Sequence, residues 1–270
     1  MSRSRTHPKP SSSATRPSHP PKPTKKAAGA TKQPAAKVEA PAAKAPAGAL
    51  LWAHGLTKTY GDLPALAPIT LTVRPHEAVV LIGHNGSGKT TFLRIAAGLL
   101  EPSGGIIQLD GHDAGSLGAR AAVSYVSDNP TFYEDLSVWE HLEYVARLNG
   151  RDDWEQDAAD LLGHLGIYER ADDLPVTFSR GLRQKTALAL GLIRPFDLLL
   201  IDEPFVGLDA AGKAALLELL DEAHGKGGAL MVATHELEFV QRVERCIALR
   251  DGELAYDGGT AGIDVLGLVS

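Results

Sequence analysis

Hydrophobic and polar positions along the chain fall into two textures. Short unbroken apolar runs stand at Val79-Val80-Leu81-Ile82, Leu198-Leu199-Leu200-Ile201 and Ala229-Leu230-Met231-Val232-Ala233. Such runs predict strands buried on both faces, as in a parallel sheet. Residues 66–73 instead alternate, with Ile69, Leu71 and Val73 apolar, which predicts a strand with one exposed face. Weaker strand patterns lie at 51–54, 106–109 and 123–126. A closing pair, 246–249 and 253–256, flanks the turn Arg250-Asp251-Gly252. Helical spacing takes over elsewhere. Residues 91–99 and 210–223 predict helices, and Ser137-Val138-Trp139-Glu140 reads as a capping box opening another. Leu142, Val145, Ala146 and Leu148 continue that helix, and 154–165 forms a further one with Ala158, Leu161, Leu162 and Leu165 on one face. Trp139 and Trp154 read as packing residues of this block. The pattern predicts an α/β fold whose strands are interrupted by a helical subdomain at about 128–190.

Composition adds a boundary. The chain has 270 residues, 44% of them hydrophobic, enough for one sizeable domain and a tail. Residues 1–48 are mostly Pro, Ala, Lys, Ser and Thr. Such a segment cannot bury enough apolar surface to offset its ordering entropy, which predicts a disordered tail ahead of a domain at 49–270. The net charge of −6 hides an asymmetry: residues 1–50 carry +9 and residues 51–270 carry −15. The basic tail suits solvation, contact with an anionic lipid leaflet, or nucleic acid, in that order of expectation. Cys246 is the one cysteine; it reads as a buried, inert thiol, and no internal disulfide is possible. No apolar run approaches the ~20 residues that span a bilayer, and the N-terminus lacks the apolar core of a secretory signal.

Chemistry concentrates at the ends of the apolar runs. Gly83-His84-Asn85-Gly86-Ser87-Gly88-Lys89-Thr90 follows one strand and opens a helix, the setting of a phosphate-binding P-loop. Glycines let the backbone curl so that N–H groups face phosphate oxygens, and the helix adds its positive dipole end. Lys89 then reaches the outer phosphates and the Thr90 hydroxyl suits Mg²⁺. The run 198–201 ends in Asp202-Glu203. Asp202 would hold Mg²⁺, directly or through water, and Glu203 would polarise an attacking water. His235 closes the run 229–234, which should lie beside the Asp202 strand, and is expected to contact the γ-phosphate. Ser179 would cap a helix N-terminus, with Arg180 and Gly181 behind it, a potential anion site.

The order of these stretches resembles the ATP-binding cassette (ABC) ATPase family over about residues 50–257. The resemblance implies a P-loop NTPase core with a mostly parallel sheet, an antiparallel β subdomain and a helical subdomain. Residues 83–90 match the family's Walker A, with Thr91 next to it, and 198–203 its Walker B. Gly207-Leu208-Asp209 matches its D-loop, His235 its switch histidine, and Tyr60 the aromatic that stacks on adenine. Phe178-Ser179-Arg180-Gly181-Leu182 occupies the place of the Leu-Ser-Gly-Gly-Gln signature, retaining Ser179 and Gly181. In the family this segment completes the partner subunit's site. His84 replaces a frequent proline. Asp128 stands where the family carries a glutamine: either it ligates Mg²⁺, or Asn129 supplies the amide, or the loop serves partner contact. The implied cofactors are ATP and Mg²⁺. The implied partners are a second ABC ATPase subunit, in a homo- or heterodimer, and an integral-membrane transporter subunit, which places the chain in the cytoplasm at the inner face of the cell membrane. Phe132, Tyr133 and Leu136 are either anchors for that membrane subunit or core. The expected function is ATP hydrolysis powering transport, as an exporter. The alternative is a soluble ABC ATPase acting on ribosomes or DNA.

Overall fold

The computed structural model describes residues 44–265 and 267. The expected tail, 1–48, lies outside them except for its last five residues, an irregular segment with a turn at 47–48. The chain opens with the hairpin of β1 (Leu51–Tyr60) and β2 (Leu63–Val73). There follow β3 (Ala78–Ile82), α1 (Lys89–Ala96), β4 (Gly104–Leu109), β5 (His112–Asp113), α2 (Leu117–Ala122) and β6 (Val123–Val126). The helical block is α3 (Val138–Leu148), α4 (Glu155–His164), two 3-10 turns at Tyr168–Arg170 and Pro175–Thr177, and α5 (Arg180–Ile193). Then come β7 (Leu198–Asp202), α6 (Ala210–Gly225), β8 (Ala229–Ala233), α7 (Leu237–Val240), β9 (Arg245–Arg250) and β10 (Glu253–Gly259).

Two sheets result. An antiparallel one runs β2-β1-β4-β5, and a six-stranded one runs β10-β9-β3-β8-β7-β6. In the second, β9, β3, β8, β7 and β6 are mutually parallel and β10 is an antiparallel edge. The unbroken apolar runs now have their reason. Successive side chains of a strand point to opposite faces. Val80, Ile82, Leu199, Ile201, Leu230 and Val232 enter one core with the helical block and α6. Val79, Leu81, Leu198, Leu200, Met231 and Ala233 enter the other, with α1 and the antiparallel sheet. Polar residues find no place in the middle of such strands, so the polar chemistry is pushed to their ends.

Several boundaries differ from the sequence pattern. β1 continues through the polar Thr57-Lys58-Thr59 to Tyr60 because it stays paired with β2 to its end, across register shifts, while its pairing with β4 reaches Thr57. β2 begins at Leu63, three residues before its alternation is visible. α1 begins at Lys89, inside the glycine-rich loop. The short β5, α2 and α7 carry too few residues to display a period.

The capping box forms as the sequence implies. Ser137 Oγ accepts from Glu140 N–H at 3.2 Å, and Glu140 Oε2 accepts from Ser137 N–H at 2.7 Å. Those bonds hold the Glu140 carboxyl below its ordinary range. Ser137→Ala is expected to cost about 1 kcal/mol and lower the melting temperature by roughly 2–4 °C; calorimetry on the purified chain checks this. His141, one residue on, is buried. Its Nδ1 donates to the Ser137 carbonyl at 2.7 Å and its Nε2 accepts from Tyr133 N–H at 3.0 Å. The segment before α3 is thereby fastened to the helix. Trp139 and Trp154 pack on each other, ring centroids 5.1 Å apart, while Phe132 leans on the core and Tyr133 stays exposed. Cys246 is buried and its thiol is pushed up to about 11 by desolvation. Among the described residues no helix is long and apolar enough to cross a membrane.

Candidate active site

Four neighbouring parallel strands, β3, β8, β7 and β6 in spatial order, end on one side of the sheet. Gly83 follows β3, Thr234-His235 follows β8, Asp202-Glu203 closes β7, and Ser127-Asp128 follows β6. Neighbouring strands lie about 4.8 Å apart, so residues far apart in sequence become a row. The ladder runs one step past the strands: Glu203 N–H donates to Ala233 O at 2.8 Å and Thr234 N–H to Leu81 O at 3.2 Å. The segments holding Glu203 and His235 are thus part of the sheet rather than loose loops.

The glycine-rich loop is fixed from two sides. Gly83 has φ +152°, and a Cβ there would overlap Leu249 O and Ser87 Oγ. Gly88 has φ +103°, a value side chains rarely adopt, and its Cβ would meet Ala65 O at 2.9 Å. The turn between β9 and β10 straps the loop: Gly252 N–H donates to Ser87 O at 3.1 Å, and Ala67 N–H to Gly252 O at 2.9 Å. His84 Nε2 lies 3.3 Å from Asp251 Oδ1, and its Nδ1 donates to the Asn85 carbonyl at 2.9 Å. Asn85 and Gly86 are exposed at the loop tip, whereas Ser87 and Lys89 are buried. Lys89 Nζ donates to Gly83 O at 2.6 Å and His84 O at 3.3 Å, curled over its own loop. Thr90 and Thr91 follow on the first turn of α1, half-buried.

Glu203 joins the loop to β8. Its Oε1 is 3.8 Å from Lys89 Nζ and its Oε2 is 3.3 Å from His235 Nδ1. It also has φ +47°, a left-handed conformation that costs a non-glycine residue of order 1 kcal/mol. Asp202 is 1% exposed and neither carboxylate oxygen has a hydrogen-bond partner. Burial pushes its carboxyl above the ordinary range, and the Asp128 and Glu203 charges add to the rise. The Thr90 side chain stands close enough to oppose the shift, with Lys89, but short of a well-formed hydrogen bond. Ser87 Oγ is likewise buried without a partner. Unpaired buried oxygens of this kind are costly, and a hard cation ligated by oxygen relieves the cost. The residues present therefore fit Mg²⁺.

The remaining expected residues lie around this row. Asp128 accepts from Ser127 Oγ at 3.2 Å. No three His, Cys, Asp or Glu side chains among the described residues are gathered closely enough to cage one metal ion. Tyr60 ends β1 at the hairpin tip, half exposed, with Lys58 Nζ 5.2 Å from its ring centre. Leu66 on the paired β2 packs under Gly88, which puts the hairpin beside the loop. Ser179 caps α5, its Oγ accepting from Leu182 N–H. Gly181 lies against the β7–α6 loop, where an added Cβ would be 2.5 Å from Gly207 O, and the Arg180 stem covers Gly207. Two features escaped the sequence pattern: the strap at Asp251-Gly252 and the fastening of Tyr133 by His141. The dipeptide Asp251-Gly252 marked a turn but not what the turn touches, and a lone histidine carries no signal of its partners.

A scan against family models matches residues 66–206 to the ABC transporter family. The ABC-type transporter ATP-binding protein EcsA of Bacillus subtilis is 34% identical over 215 residues, 78% of this chain and 87% of that protein. The SkfA peptide export ATP-binding protein SkfE of the same organism is 33% identical, covering 77% of this chain and 88% of that one. Among solved structures, the dimeric bacterial ABC transporter cassette MJ0796 superposes with a TM-score of 0.72 at 25% identity, over 79% of this chain and all of the other. The match reaches over half of the chain, and it includes the glycine-rich loop and the carboxylates that the fold brings to one row. The chain belongs to the ABC transporter family as an ATP-binding cassette.

Proposed function

We propose that this chain is the ATP-binding and ATP-hydrolysing subunit of a multi-subunit exporter, working through a separate membrane-spanning protein. The observation that carries the reading is the convergence of Lys89, Glu203, His235 and the unpaired Asp202 at three adjacent strand ends. The export direction takes its support from the similarity to SkfE, a peptide export ATP-binding protein by name.

Each residue has a task in phosphoryl transfer, which depends on positioning and charge stabilisation more than on covalent chemistry. Backbone N–H groups of residues 83–90 cradle the phosphates, and Lys89 neutralises the outer ones. Glu203 accepts a proton from the attacking water. His235, in contact with Glu203, orients that carboxylate and contacts the γ-phosphate. Mg²⁺, held by Asp202 and Thr90, would neutralise phosphate charge when bound. Asp128 adds a further negative charge beside those of Asp202 and Glu203, available to the same cation. Ser179, Arg180 and Gly181 complete the site of a second ATPase subunit. The chain works in the cytoplasm, at the membrane face where its partner presents its inner side.

Tyr60 serves as the platform for the base. Tyr60→Ala should raise KM for ATP roughly tenfold while kcat changes less than about twofold, the signature of lost uniform binding. Steady-state kinetics reads both, and an unchanged KM removes Tyr60 from the site. The function as a whole is tested by purifying the tagged chain from its host in mild detergent. Co-purification with a membrane-spanning protein, and phosphate release coupled to substrate movement in vesicles, are expected. RNA-dependent sedimentation with ribosomes, or phosphate transferred to an acceptor molecule, would overturn it.

A further inference from the structure

Behind Glu203 and His235, between the β7–α6 connection and the turn after β8, lies a small cavity of about 260 Å³. Its charged lining is Glu203, His235, Glu236 and Lys213. Two carboxylates and one imidazole thus share the space with a single lysine. Lys89, the other cation near Glu203, approaches from the glycine-rich loop and does not line the cavity. Lys213 pairs with the second carboxylate: its Nζ donates to Glu236 Oε2. Glu236 is next to His235 in the chain.

The placement of Lys213 follows from α6. Asp209 caps that helix, its side chain accepting from Gly212 N–H and its carbonyl from Lys213 N–H, both at 2.9 Å. Leu216, Leu217 and Leu220 bury the helix in the core, a firm base for a long side chain. His235 has less support of its own. Its side chain is 70% exposed, and Glu203 Oε2, 3.3 Å from Nδ1, is its one polar partner among the described residues. The residues on either side hold it. Thr234 is buried, and its N–H extends the sheet ladder to Leu81 O. Its Oγ1 accepts from Glu236 N–H at 3.1 Å, so His235 stands at the apex of a tight turn. The Glu236 carbonyl accepts from Phe239 and Val240 N–H in α7. The Glu236 carboxylate is held by Lys213 alone among the described residues.

Resting on the reading of His235 given above, we infer that Lys213 is a positioning residue for that histidine. It draws the Glu236 carboxylate toward α6 and neutralises it, so that Glu203 is the one acid free to orient the imidazole. Without the lysine, a second carboxylate in the same cavity competes with Glu203 for Nδ1 and repels Glu203 itself. The pair is too exposed to weigh much in global stability. Its weight is local, because a misplacement of about 1 Å near reacting groups costs up to about 10²-fold in rate.

Lys213→Met keeps most of the stem and removes the charge. It should lower kcat for ATP hydrolysis roughly tenfold, with KM for ATP changed less than about twofold and the melting temperature within about 3 °C of the parent. Lys213→Arg should keep turnover within about threefold. Adding Glu236→Gln to Lys213→Met should recover most of the lost turnover, because the competing charge is gone. In a His235→Ala background, with residual hydrolysis read from radiolabelled phosphate release, Lys213→Met should cost less than about twofold more, since it acts through the ring. Unchanged turnover in Lys213→Met, a changed KM in place of kcat, no recovery with Glu236→Gln, or a further tenfold loss without the histidine would each overturn the positioning role while leaving His235 in the site. Parent-like turnover in His235→Ala alone would strike the reading of His235 and this inference together.

Discussion

Glu203→Gln is expected to lower ATP turnover at least about 10²–10³-fold, the range lost with a general base, while ATP binding changes less than about threefold. With hydrolysis blocked, ATP should hold two subunits together, visible as a nucleotide-dependent dimer in light scattering. The substitution isolates chemistry because it spares geometry. Glu203 sits at φ +47°, and glutamine tolerates that backbone as well as glutamate does. The side chain keeps its length and an oxygen, and loses only basicity and charge. Its contacts with Lys89 and His235 weaken together, so ATP affinity need not fall. Turnover within about twofold of the parent protein would remove Glu203 as the base.

Asp202→Asn should give the second large effect, with opposite signs in two measurements. Hydrolysis falls by about 10²-fold or more, because the oxygen donor loses its charge toward the cation. Stability rises. Burial is the first cause of the raised Asp202 pKa, so the folded protein disfavours the ionised carboxylate more than the unfolded chain does. The sign follows from linkage. The protonated carboxyl's stabilising contribution is complete below the unfolded value of 3.8 and is lost as pH rises through the folded pKa. At neutral pH the charge is a liability, and removing it should raise the melting temperature by on the order of 3 °C. On acidification toward the unfolded value the gain should shrink. Calorimetry at several pH values without added Mg²⁺ reads the difference; a variant that melts lower than the parent at neutral pH would contradict the assigned strain.

The large features were written in the sequence because each has a local cause. The apolar runs of β3, β7 and β8 required burial on both faces, and the two cores supply it. The capping box at Ser137 is four residues of local hydrogen bonding. The glycine-rich loop carries its own turn geometry between strand and helix. The rest is non-local. Nothing near Glu203 in sequence announces its left-handed backbone, which follows from the Glu203–Ala233 hydrogen bond and the turn beyond it. The strap from Gly252 to Ser87 joins residues more than 160 positions apart. Arg194 follows the last residue of α5, and the acceptor of its guanidinium, the Arg120 carbonyl, lies 74 positions away and is brought to it only by the fold.

The meeting of Gly181 with Gly207 has a mechanical consequence. Gly181 lies in the first turn of α5, the helix proposed above to complete a second subunit's site, while Gly207 lies four residues beyond Glu203 in the β7–α6 connection. With no side chain between them, one backbone cannot shift without pushing the other. Under the pairing proposed above, a displacement of α5 is expected to press on the β7–α6 connection of the same subunit through this close backbone approach, a gear tooth rather than a long lever.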